Sequence, residues 1–128
     1  MSFKISKVFA GSFDEAILRV TETLKQEGFG ILTEIDIQST LKAKLGVDMP
    51  RYRILGACNP PIAHKALMAE PSIGVMLPCN VIVRETDSGM VEIAAINPSE
   101  AMNAIGNPAL TNLADDVSAR LQRALAAA

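Results

Sequence analysis

The first part of the chain passes from an alternating pattern to a helical one. Apolar and polar side chains alternate over residues 3–9, which predicts a strand with one buried face. Ser12 with Glu15 three residues later forms a capping box, and apolar residues then recur along one helix face as far as Gly28. The chain is therefore predicted to begin with a strand and an amphipathic helix.

Four later stretches are rich in β-branched and aliphatic residues and predict strands. They are Phe29–Ile35, Arg51–Ala57, Cys79–Glu85 and Val91–Ile96. In the first of them the alternation places Phe29, Ile31, Thr33 and Ile35 on one face. The turn TDSG joins the last two strands as a hairpin.

Two Asn-Pro pairs indicate where helices begin, because asparagine caps a helix and proline at the first turn loses no hydrogen bond. Asn59 precedes the helix predicted over Pro60–Ala69, and Asn107 precedes the last helix. The last helix carries one apolar stripe, formed by Leu110, Leu113, Val117, Leu121 and Leu125. Residues 36–46 and 98–105 predict a short helix and a single helical turn.

This order, strand–helix–four strands–helix with short extra helices between strands, predicts one α+β domain over residues 1–128. Its sheet is expected to be mostly antiparallel, with the helices packed on one face. The other face, rich in Ile and Val, would be a large apolar patch unless another chain covered it. We therefore expect a homodimer.

Composition excludes several classes of protein. Hydrophobic residues make up 49% and charged residues 20%, as in a globular domain. A net charge of −2 without a basic stripe, and only 4% aromatic residues, argue against nucleic-acid binding. The chain has no apolar stretch long enough for a membrane helix, and its N-terminal sequence lacks the apolar region of a secretory signal. We expect a cytoplasmic protein whose two cysteines are thiols.

The candidate chemistry lies in the pattern C-x5-H-x14-C, formed by Cys58, His64 and Cys79. A structural zinc site needs four ligands and usually a close pair of them, so no structural zinc site is predicted within one chain. A three-ligand site, or one shared between two chains, stays open. Cys58 precedes a helix N-terminus, where a thiolate is favoured, and Cys79 could be its resolving partner if the third and fourth strands are neighbours. Alternatively, both cysteines are small buried apolar side chains.

Asn59 and Asn80 follow the two cysteines directly. Polar groups at strand entries beside a helix N-terminus are places where small anionic ligands bind. The candidate ligand-binding residues are therefore Cys58, Asn59, His64, Cys79 and Asn80. No catalytic residue and no cofactor is predicted.

The segments TEID, LKAKLG, YRILGACNP, AHKAL, EP and LPCNV follow one another in a characteristic order. In this order they resemble a widespread bacterial family, the domain-of-unknown-function family 302. The resemblance implies a fold akin to the TATA-binding-protein-like architecture, often seen as a homodimer. It implies no activity, substrate or catalytic residue.

Three hypotheses of function follow. The first is a dimeric domain that binds a small ligand near the five candidate residues. The second is a thiol- or metal-dependent redox protein that uses Cys58 and Cys79. The third is a structural module that docks another protein through the open sheet face or the segment bearing Met68 and Met76.

Overall fold

The computed structural model describes residues 2–128 and contains five strands and five α-helices. In chain order they are β1 Lys4–Phe9, α1 Phe13–Gln26, β2 Gly30–Asp36, α2 Ile37–Leu45, β3 Tyr52–Cys58, α3 Pro60–Ala69, β4 Cys79–Glu85, β5 Val91–Ile96, α4 Pro98–Asn103 and α5 Pro108–Ala127. A 3₁₀ helix, Pro71–Met76, follows α3 and was not predicted.

The strands form one sheet in the order β1-β5-β4-β3-β2, and each neighbouring pair is antiparallel. The predicted α+β fold, with an antiparallel sheet and helices on one face, is confirmed. The capping box is also confirmed, since the Ser12 hydroxyl accepts from the backbone N–H of Glu15 and the Glu15 carboxylate accepts from the N–H of Ser12.

The main core lies between this sheet face and helices α1 and α5. Val20 and Leu24 from α1 pack with Leu121 from α5, and all three are fully buried. The sheet contributes a set of side chains that are almost inaccessible to solvent: Leu55, Val81, Val83 and Ile93. The predicted stripe on α5 is confirmed, with Leu113 the one member that is only partly buried. Within residues 2–128, no helix combines the length and apolarity needed to cross a membrane.

A β-bulge changes the predicted pattern of β2. Ile31 pairs with Ala57 and Thr33 pairs with Gly56, so Leu32 is an extra residue without a partner on β3. Gly56 and Ala57 are consecutive in β3, so these two positions face opposite sides of the sheet, and so do the side chains of their partners Thr33 and Ile31. The prediction that both lie on one face is therefore wrong, since the extra residue inverts the alternation after Ile31.

The sheet face opposite the helices is mixed in character. Strand register aligns Ile35, Ile54 and Ile82 across it. Beside this row, Glu92 pairs with Arg84 at 2.7 Å and with Lys4 at 3.4 Å. Burial acts to raise the pKa of Glu92, but these two cations outweigh it and hold the pKa below its ordinary value. The expected homodimer stays a prediction.

Ser118 fastens α4 to α5. Its buried hydroxyl accepts from the backbone N–H of Ser99 at 3.1 Å, which caps the first turn of α4 from a neighbouring helix. The same hydroxyl donates to Oδ1 of Asn97 at 2.9 Å. This contact positions α4, whose Pro98 and Met102 line a cavity beside α3 and α5.

Candidate functional site

An apolar cavity of about 300 Å³ lies between α3, α5 and the end of the sheet where β3 ends and β4 begins. It separates the main core from a smaller apolar cluster built around Ala66, Ile73 and Leu110. Its wall combines side chains of six elements, among them Phe29, Ala57, Ile62, Leu67, Met102, Leu113 and Val117. Within residues 2–128, none of the cavity-lining side chains carries a charge.

Both cysteines line this cavity. β3 and β4 are neighbours, with Cys79 opposite Ala57, so Cys58 lies one residue beyond the partner of Cys79. Both are partly buried free thiols. Burial, reinforced by Cys58, raises the pKa of Cys79 to about 11. The Cys79 thiol is therefore protonated near neutral pH, whereas nucleophilic attack and metal binding need the thiolate.

Asn59 is held in the cavity wall from two sides. Only 8% of it is exposed, and its Oδ1 accepts from the backbone N–H of Ile62 at 3.3 Å, which confirms the predicted cap of α3. On the other side, its Nδ2 lies against Gly28. A Cβ on residue 28 would lie only 2.7 Å from this Nδ2. Since the cap uses Oδ1, the Nδ2 donors are left for another acceptor.

The N-terminus of α3 has its backbone donors already used. Pro60 and Pro61 carry no N–H. The N–H of Ile62 donates to the side chain of Asn59, and the N–H of Ala63 donates to the carbonyl of Asn59 at 2.9 Å. Together with the uncharged wall, this makes an anionic ligand unfavourable at this helix end, because anion binding there needs free N–H groups.

Two of the five candidate residues lie away from the cavity. His64 is exposed on α3, two residues after Ile62, which places it on nearly the opposite side of the helix. Asn80 is exposed and pairs with Gly56, so it faces away from its neighbour Cys79 across the sheet. In the described part of the chain, no three His, Cys, Asp or Glu side chains come together in a group that could hold a metal ion.

The part of the wall that comes from α5 was not predicted from the sequence. The apolar stripe identified Leu110 and Val117 as buried, and both face the cavity beside Ala114. A stripe of this kind predicts burial, but it does not distinguish a filled core from an open one. The cavity is therefore assembled from residues that are distant in sequence.

Comparisons with known proteins agree with this fold. A family model described as "Domain of unknown function DUF302" matches residues 5–128. A crystal structure of an uncharacterized conserved DUF302 protein from Bacillus stearothermophilus is 31% identical, covers 98% of each chain and superposes with a TM-score of 0.92. No curated protein matches the chain. The family match and the shared fold together show that the chain belongs to the DUF302 family.

Proposed function

We propose that this protein binds a small neutral molecule with an apolar body in the cavity between α3 and α5. The observation that carries the proposal is the size of this uncharged cavity, about 300 Å³. An apolar protein cavity of about 150 Å³ stays dry and binds benzene. The space here is about twice as large, enough for a fused aromatic ring system or a medium-length aliphatic chain.

The polar groups of the wall narrow the class of ligand. Ligand sites of this kind have apolar walls and a few polar groups that orient the ligand. Here the polar wall groups include Asn59, whose nearly buried amide has its Nδ2 against Gly28, and the protonated thiol of Cys79. These groups favour a ligand with one hydrogen-bond acceptor, such as a hydroxyl or carbonyl oxygen, over a ligand with a formal charge.

Two other hypotheses stay predictions with weaker support. A redox role for Cys58 and Cys79 has their shared cavity in its favour, but the raised pKa of Cys79 disfavours attack by its sulfur. A protein-docking role is supported by the exposure of Met68 and Val75, on α3 and the 3₁₀ helix. Met76, the other methionine of that segment, is only partly exposed because it packs on the cluster of Ala66, Ile73 and Leu110.

A fluorescence displacement experiment tests the proposal. N-phenyl-1-naphthylamine, a neutral probe that brightens in apolar sites, is titrated with protein and then displaced by 1-octanol or by octanoate. We expect the probe to bind, and the neutral alcohol to displace it at least about tenfold more effectively than the carboxylate, because burying an unpaired charge is costly. If wild-type protein does not increase the fluorescence of the probe, the proposal is contradicted.

A matched pair of alanine variants locates the binding. Ala63 lines the cavity and Ala69 is exposed at the other end of the same helix. Ala63→Leu should occupy part of the cavity and weaken probe binding about tenfold or more, while Ala69→Leu should bind as the wild type does. Unfolding in urea shows whether both variants keep their stability. Equal probe affinity in the two variants would show that the probe binds outside the cavity.

We further propose that this binding domain acts in the cytoplasm as a homodimer. The aligned isoleucines on the open sheet face support the dimer, because a second copy would remove them from water. Light scattering at several protein concentrations measures the mass directly. A monomer mass at all concentrations would remove the dimer and leave the cavity proposal intact.

A further inference from the structure

Leu32 stands apart from the other residues around the cavity. It is 65% exposed, and it is the one exposed side chain among the cavity-lining residues of the described chain, 2–128. A side chain that both lines a cavity and faces solvent must lie where the cavity opens. Leu32 therefore marks the mouth.

The β-bulge is the reason that Leu32 reaches this position. It is the extra residue between Ile31, which pairs with Ala57, and Thr33, which pairs with Gly56. In a regular strand the side chain after Ile31 would point to the opposite sheet face, away from the cavity. Bulges commonly redirect a side chain in this way beside functional sites.

Folding gains little from Leu32. Phe29, three residues earlier on the same wall, is 3% exposed and belongs to the main core, whereas Leu32 keeps most of its surface in water. A large apolar side chain at the rim of a cavity becomes buried only when something apolar occupies that cavity. Leu32 is therefore expected to stabilise the ligand-bound state rather than the empty fold.

We infer that Leu32 closes the mouth of the cavity over a bound apolar ligand and thereby determines how long the ligand stays. The inference rests on the proposed function and specifies the residue that sets affinity. Its leucine side chain packs on the outer end of the ligand, in place of water. Loss of this contact would speed dissociation and leave association almost unchanged, as is usual within one binding site.

The test compares Leu32→Ala with Leu18→Ala. Leu18 is a similarly exposed leucine, at 73%, but it lies on α1 outside the cavity wall. With N-phenyl-1-naphthylamine as the probe, stopped-flow fluorescence should show about tenfold faster dissociation from Leu32→Ala. Leu18→Ala should match the wild type, and both variants should keep a nearly wild-type urea midpoint, as exposed substitutions do.

A second variant separates closure from a general effect of the bulge. Leu32→Met keeps an apolar side chain of similar volume and should restore slow dissociation. If the wild type binds the probe and Leu32→Ala releases it at the wild-type rate, the role of Leu32 is refuted while the binding proposal stands. If Leu32→Met releases the probe as fast as Leu32→Ala, then any substitution in the bulge speeds release. Apolar packing by the side chain is then not the cause, which also refutes the role of Leu32. A wild type that binds no probe overturns both proposals.

Discussion

The Cys79 thiol should make the stability of this protein fall at alkaline pH. Burial raises its pKa from the ordinary 9.0 to about 11, so the unfolded chain loses the thiol proton at lower pH than the native protein does. Stability is therefore complete below pH 9 and declines as the pH rises toward 11. Near pH 10 ionisation favours the unfolded chain about tenfold, which is about 1.4 kcal/mol, and the loss approaches about 3 kcal/mol above pH 11.

Urea unfolding of reduced protein near pH 7.5 and near pH 10 measures this effect. Because alkaline pH affects the rest of the protein as well, the informative quantity is the difference between wild type and Cys79→Ala. The wild type should lose about 1.4 kcal/mol more than the variant between the two pH values. Cys58→Ala is the control, because burial is the larger cause of the raised pKa and survives in that variant. An identical pH dependence in wild type and Cys79→Ala would refute the buried, protonated thiol.

Three further predictions concern one close-packed glycine and two helix caps, and urea unfolding at neutral pH measures each of them. Gly56→Ala should cost about 2 kcal/mol, because its Cβ would overlap Oγ1 of Thr33 and lie 2.8 Å from Cγ of Pro78. Gly30→Ala should be nearly neutral, with no atom within 4 Å of its Cβ. Ser118→Ala should cost about 1–2 kcal/mol, since it leaves the first turn of α4 uncapped; an unchanged midpoint would show that the cap contributes nothing. Asn59→Ala should lower stability by about 1 kcal/mol through loss of the α3 cap, and the loss should shrink in Asn59→Ser if capping is the cause.

Local features of the sequence predicted most of the fold because their physical causes are local. Ser12 and Glu15 cap α1 across three residues, and Asn59 and Asn107 cap the helices that begin right after them. A cap depends on a few neighbouring backbone groups, so its signature survives in the sequence. The order of strands and helices along the chain and the burial of the α5 stripe followed from the hydrophobic periodicity.

The candidate site was predicted less completely, for two different reasons. Periodicity already separates Cys79 from Asn80, since consecutive strand residues face opposite sides, and it likewise separates Ile62 from His64 on α3. These two separations were therefore within reach of the sequence. The cavity was not, because its volume depends on how closely α3 packs against α5. The bulge at Leu32 likewise depends on the pairing of β2 with β3.

The bulge at Leu32 also has a consequence for how these molecules behave in concentrated solution. β2 is an outer strand of the sheet, so one row of its N–H and C=O groups faces outward, away from β3. A straight outer strand is a template on which the strand of another molecule can add and start aggregation. The inserted residue breaks the regular spacing of that row and bends it, which prevents a continuous ladder with a neighbour. One extra residue thus makes the β2 edge of the sheet a poor template for edge-to-edge association.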